Sequence, residues 1–226
     1  MKFKQLIPNS ITLLNLALGF AAILLNDPYL SPLLILGAGI ADLFDGMSAR
    51  LLGVSSELGL QLDSLADLVS FGVAPAFLYY HHMMPDTSLS IVLIALIPVF
   101  SAYRLARFNI DEFQQSNFLG LATPSSGFFF AFLTFGWWEQ DLFSTLPWLI
   151  YALPVVFSIL MVAPVKMFSL KGFSKKPNRE KIITSILITL GLVLLLLYQL
   201  SSIPIIVLSY VGLAWLNSTL GGSEDV

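Results

Sequence analysis

The chain has 226 residues, 57% of them hydrophobic and only 11% charged, with a net charge of −3 and a mean hydropathy of +0.84. Soluble domains carry about 25% charged residues, so the composition excludes an ordinary soluble domain and points to an integral membrane protein. The absence of cysteine excludes disulfides and thiolate chemistry.

Apolar runs and the breaks between them predict eight helical spans, near residues 10–26, 30–52, 56–80, 88–109, 125–140, 146–168, 181–199 and 203–218. Backbone in lipid must satisfy its own hydrogen bonds, and the alternation of a membrane barrel is absent, so the expected fold class is all-α. No polar stretch is long enough to fold alone, so residues 1–226 are expected to form a single transmembrane unit without internal repeats.

The first span begins MKFKQLIPNSITLLNLALGF, with lysines before an apolar run, as in a signal peptide. Pro8 and Asn15 interrupt the run and no small-x-small cleavage site follows, so Pro8, Asn9 and Ser10 read instead as the start of a helix.

The second and third spans carry the chemistry, in the stretch DLFDGMSARLLGVSSELGLQLDSLAD from Asp42 to Asp67. Asp42 and Asp45 are three residues apart, Asp63 and Asp67 four, and each spacing puts both carboxylates on one helix face. Gly53, Ser55 and Ser56 supply turn and N-cap chemistry between the pairs. A helical hairpin (30–80) with two facing acid pairs follows, both pairs lying about 11–12 Å from its turn at about 1.5 Å per residue. A carboxylate in a span costs about 2.5–3.5 kcal/mol, so four need about 10 kcal/mol of compensation. Arg50 alone cannot supply it. His81 and His82 lie about 21 Å further along the helix, leaving an all-oxygen set that favours Mg²⁺, Mn²⁺ or Ca²⁺ over Zn²⁺ or Cu²⁺. Such ions often bridge substrate phosphates, and the small residues Gly46, Ala49, Gly59 and Ala66 would let a bulky ligand approach the backbone.

The pattern D-x-x-D-G-x-x-A-R-x8-G-x-x-x-D-x-x-x-D, from Asp42 to Asp67, resembles the signature of the CDP-alcohol phosphotransferase family at all eight fixed positions. The resemblance implies a six-helix core and an enzyme that moves a substituted phosphate from a CDP-linked donor to an alcohol, releasing CMP. It implies two ions, Mg²⁺ or Mn²⁺, held by Asp42, Asp45, Asp63 and Asp67, with Asp67 also the general base. The P-N-x-x-T-x-x-N run from Pro8 to Asn15 is similar to the family's opening helix, whose polar residues help hold cytidine. Donor contacts are therefore expected from Asn9, Thr12, Asp42, Gly46, Ala49, Arg50 and Gly59. Helix capping by Asn9 or Ser10 is the plainer alternative for the first helix, as interfacial snorkelling is for Arg50. Within the motif, the Arg50 fork suits a pyrophosphate.

Beyond Asp67, Ser70 and Gly72 extend the small polar face, and Pro75 is expected to kink the third span. His81 and His82 read as interfacial residues, and Tyr79, Tyr80, Trp137, Trp138 and Trp148 as an aromatic belt on the same side. Arg104 and Arg107, one turn apart at the end of the fourth span, are expected to face the same way. The stretches SFGVAPA, RLARFN, GLATPSSG (120–127) and LMVAPVKMFSLKGF (160–173) resemble the phosphatidylserine-forming branch of the family, although Ala122 stands where other members commonly carry Pro. That branch implies CDP-diacylglycerol and L-serine as substrates, with Arg104, Arg107 and Ser70 as candidate acceptor contacts. A homodimer is also implied.

The loop KMFSLKGFSKKPNREK brings six basic residues together, a topogenic cluster that could also hold anionic lipid. The last spans are free of charge and read as scaffold or dimer surface. With the N-terminus inside, all 11 Lys and Arg fall on the cytoplasmic side, placing both termini and the aspartates there, in the inner or plasma membrane of a prokaryote. The same chemistry with glycerol 3-phosphate, inositol phosphate or choline as acceptor is the alternative. An aspartate-rich prenyltransferase would use other acid spacings. A divalent-ion transporter would more often show broken helices and repeats.

Overall fold

Each early helix ends where a particular residue stops it. A computed structural model describes residues 3–54, 56–111, 119–135, 143–165, 167 and 178–221. Helix α1, Phe3–Leu25, ends at Asn26, whose φ of 46° leaves the helical region. The Asp27 carboxylate then accepts the N–H groups of Leu30 (2.7 Å) and Tyr29 (2.9 Å), which satisfies donors at the start of α2. These two donors, Leu30 first, hold the Asp27 carboxyl below the usual carboxylate range. Helix α2, Leu30–Leu52, stops at Gly53, where φ is 60° and the N–H groups of Gly53 and Val54 close on Arg50 O and Ala49 O. Only glycine takes that left-handed conformation without penalty.

Helix α3, Glu57–Met83, is capped by Ser56, whose hydroxyl accepts the Gly59 N–H at 3.0 Å. The expected Gly53–Ser56 turn chemistry holds, while Ser55 lies outside the described residues. Pro75, expected to kink α3, follows a change in the winding of the helix. The six residues before Ala74, Leu68–Val73, form a π-helical segment, which widens the backbone where proline lacks an N–H and crowds the preceding turn. Two neighbours close on this segment. A Cβ added at Gly19 would lie 2.6 Å from Ser70 Cα, and one at Gly127 would lie 2.7 Å from Phe71 O.

Helix α4 is Ser88–Ile110, N-capped by Thr87; α5 is Thr123–Leu133 and α6 Leu149–Val162. Helices α7, Asn178–Tyr198, and α8, Ile203–Gly221, follow, joined by a 3₁₀ turn at Gln199–Ser202. Among the described residues, five stretches are long and apolar enough to span a bilayer: Lys4–Leu25, Leu30–Leu52, Glu57–Met83, Ser88–Ile110 and Lys181–Ser218. The last is a hairpin, because Gln199 takes φ 51° and a Cβ on Gly191 of α7 would lie 3.8 Å from Ile206 of α8. The protein is thus an all-α integral membrane protein. The predicted 125–140 span is helical only to Leu133, and residues 136–142 lie outside the described set, as do Trp137, Trp138 and most of the basic loop.

Packing departs from the sequence reading in one respect. The expected hairpin would set α2 directly on α3, but α1 packs along both, and α2 meets α3 chiefly beyond Asp67. Helix α5 is a central post. Thr123, Ser126, Gly127 and every residue from Phe129 to Leu133 are buried, which suits a short helix apolar on all sides. Phe129 stacks on Phe157 at 4.0 Å, and Phe130 meets Tyr79 edge-on at 5.0 Å.

Candidate active site

Asp42 from α2 and Asp63 and Asp67 from α3 converge, with one carboxylate oxygen of each within 4.8 Å of the others. Asp42 and Asp63 are half-buried and Asp67 is buried. Three carboxylates so close repel strongly at low dielectric. Their all-oxygen donor set can hold a hard divalent ion, which would remove that repulsion. Asp45, the fourth expected ligand, stands outside this group: it is buried and accepts the Thr12 hydroxyl at 2.6 Å.

Helix α1 supplies the other half of the site. Asn9, Thr12 and Asn15 recur every third residue and are all buried on one face. Thr12 meets Asp45, and Asn15 Nδ2 donates to Asp67 Oδ1 at 3.2 Å. Ser70, an expected acceptor contact, is fully buried and donates to the main-chain oxygen of Asn15 at 3.0 Å, tying α3 to α1 just past Asp67. Asn109 Nδ2 donates to Ser64 Oγ at 2.9 Å and ties α4 to α3.

Beside the acids opens a cleft of about 220 Å³ lined by Asn9, Thr12, Asp45, Gly46, Ala49, Gly59 and Asp63 together with Gln5, Pro8, Val54, Ser56 and Leu60. Of the seven expected donor contacts, five line it: Asn9, Thr12, Gly46, Ala49 and Gly59. A Cβ on Gly46 would meet nothing within 4 Å, whereas one on Gly59 would lie 3.2 Å from Asn9 Oδ1. Gly46 is therefore open floor, and Gly59 lets α3 approach α1. Arg50 is exposed outside this lining, its Nε folded back onto Gly46 O at 3.0 Å. A cleft below the ~300–1,000 Å³ usual for drug-sized ligands suits one group of a large amphiphile, with the remainder outside.

The two arginines of α4 do not face the same way. Arg104 is 9% exposed, with Nη1 near Thr123 Oγ1 at 3.5 Å and Nε buried without a hydrogen-bond partner among the described residues. Arg107 is exposed and pairs with Asp111 at 3.6 Å. Residues three apart sit about 60° apart around a helix, and here the edge of the protein interior passes between them. Asn15 is the contact that residue-level reasoning missed, although the repeat of polar residues at every third position of an apolar span could have signalled it.

Residues 5–160 match the family described as CDP-alcohol phosphatidyltransferase. Among curated relatives, the CDP-diacylglycerol–serine O-phosphatidyltransferase of Mycobacterium leprae is 33% identical over 200 residues, covering 81% of this chain and 65% of the relative. The chain thus spans about two-thirds of that relative's length. Proteins of the same name are 37% identical over 133 residues in Bacillus subtilis (57% of this chain, 75% of the relative) and 40% identical over 119 residues in Methanocaldococcus jannaschii (53% and 55%). The family match covers well over half of the chain, takes in all four aspartates and ends before α7. With that match and the convergence of acids from α2 and α3, this chain belongs to the CDP-alcohol phosphatidyltransferase family.

Proposed function

We propose that the protein transfers the phosphatidyl group of CDP-diacylglycerol to L-serine, giving phosphatidylserine and CMP. The observation that carries this reading is the meeting of Asp42, Asp63 and Asp67 beside a cleft floored by Gly46 and walled by Asn9 and Thr12. The names of the relatives support serine over glycerol 3-phosphate, inositol phosphate or choline.

In this reading the cytidine end of the donor enters the cleft, and Arg50 swings from Gly46 O to the pyrophosphate at the rim. Two divalent ions, Mg²⁺ or Mn²⁺, would be held by Asp42, Asp63 and Asp67, with Asp45 joining through the oxygen not bonded to Thr12; they would supply charge stabilisation on the pyrophosphate. Asp67 takes the proton of the serine hydroxyl as that oxygen bonds to the diacylglycerol-linked phosphorus. The bond from this phosphorus to the bridging oxygen breaks, and CMP leaves with the electron pair. Arg104 offers its unpartnered Nε to the serine carboxylate. Arg107, turned outward to Asp111, has no comparable reach into the site.

Residues 1–226 act as one transferase unit, working as a homodimer in a prokaryotic inner or plasma membrane with termini and site on the cytoplasmic side. Lys4, Arg50, Arg104 and Arg107 lie at helix ends on the side of the site, whereas Asp27 and Asp86 lie at the opposite turns, which supports that orientation. The test is purified protein with CDP-diacylglycerol, Mn²⁺ or Mg²⁺ and a panel of alcohols, scoring CMP and lipid product. Metal-dependent CMP release with serine is expected. Preference for another alcohol would replace the acceptor, and ion flux in liposomes without CMP release would replace the enzyme.

A further inference from the structure

We infer that Asn15 is a positioning residue, holding the Asp67 carboxylate in one orientation from a neighbouring helix; this rests on the reading of Asp67 as base given above. Asn15 is fully buried and grips α3 twice. Its side-chain Nδ2 donates to Asp67 Oδ1 at 3.2 Å, and its main-chain oxygen accepts from Ser70 at 3.0 Å. The two contacts straddle the start of the π-helical segment at Leu68, where α3 changes its winding. The amide's orientation follows from chemistry: an ionised carboxylate only accepts, so the NH₂ half must face it.

The other half of the amide has no such role. Asn15 Oδ1 is buried without a hydrogen-bond partner among the described residues. A buried, unsatisfied carbonyl on a lipid-spanning helix lowers stability, and a leucine, branched at the same carbon though larger, would carry no such carbonyl. Packing alone therefore does not account for an asparagine here. What leucine cannot supply is the N–H on Asp67. That bond occupies Oδ1, resists rotation of the carboxylate, and leaves Oδ2 for the Asp42–Asp63 group and an incoming hydroxyl. Thr12 holds Asp45 in a similar way one turn earlier, but Thr12 lines the cleft and Asn15 does not. Asn15 thus acts through the acid and not through the donor.

The test is Asn15→Leu in the full chain, studied in detergent beside Asp67→Asn. Asn15→Leu should still fold and bind donor, its loss of the unsatisfied carbonyl partly offsetting the lost donor on Asp67 and the larger side chain. Donor KM should stay within about twofold while kcat falls by about 10- to 100-fold, the usual effect of removing a partner that orients a site ligand. Parent-like kcat in Asn15→Leu together with an inactive Asp67→Asn overturns the positioning role and leaves the transferase reading standing. An active Asp67→Asn removes the base on which both rest. Failure to fold makes Asn15 a structural residue and overturns the inference, as does a donor KM that rises in step with the loss of kcat.

Discussion

At the scale of single residues, the site separates side chains that look equivalent in sequence. Asp45 and Asp67 are both buried aspartates bonded to α1, yet only Asp67 joins the close group of three carboxylate oxygens. Asp67→Asn keeps the volume and the bond to Asn15 can re-form through Oδ1, but no base remains. Turnover should drop by about 10²–10⁴-fold, the contribution of a general base, while part of the donor affinity survives. Turnover above a tenth of the parent rate would remove Asp67 from that role. Arg104 and Arg107 separate as well, by burial. Hydrogen bonds to charged groups contribute about 1.5–3 kcal/mol, so Arg104→Ala should raise serine KM by about 10- to 100-fold with donor KM nearly unchanged. Arg107→Ala, at an exposed ion pair, should leave serine KM close to the parent value. Equal effects from both variants would place the serine carboxylate elsewhere.

At the scale of elements, the sequence shows which helices carry the acids but not which helix packs along both of them. The bounds of α2, its Gly53 stop, the Ser56 cap and the start of α4 follow from turn and capping chemistry, which is local. The place of α1 against both acid helices is a tertiary fact carried by scattered contacts: Thr12 on Asp45, Asn15 on Asp67, and Gly19 against Ser70. No spacing within α2 or α3 encodes it. The π-helical segment was half legible, since Pro75 announces a disturbance and the close approach of Gly127 helps decide its form. Two glycines test this picture in opposite senses. Gly19→Ala forces a methyl into Ser70 at the α1–α3 crossing and should destabilise the protein by about 1–3 kcal/mol. Gly46→Ala adds a methyl to empty space in a helix, where alanine is favoured by about 0.5–1 kcal/mol. Its thermal midpoint should hold or rise while donor KM increases, because the methyl occupies the floor of the cleft. If Gly46→Ala leaves donor KM untouched, the donor does not lie over Gly46.

At the scale of the whole molecule, burial, metal and topology are coupled. Chelation should abolish activity, with recovery on adding Mg²⁺ or Mn²⁺ but not Zn²⁺, since the site offers oxygen ligands and no thiol or nearby imidazole. Full activity after verified metal stripping would count decisively against the ion-bound site. The orientation can be tested with equal directness, because the chain contains no cysteine and any introduced thiol is the sole label site. The proposed topology puts Lys4, before the first apolar turns of α1, on the cytoplasmic side, and Asp86, between α3 and α4, on the other. Both residues are exposed, and neither lines the cleft, so Lys4→Cys and Asp86→Cys should keep activity. In intact cells a membrane-impermeant maleimide should label Asp86→Cys and spare Lys4→Cys, and lysis should make both reactive. The reverse pattern would set the aspartates on the face opposite the cytoplasm, away from the compartment that supplies nucleotide-linked donors. The positive-inside argument would then fail for this chain, whereas the local geometry of Asp42, Asp63 and Asp67 would be unaffected.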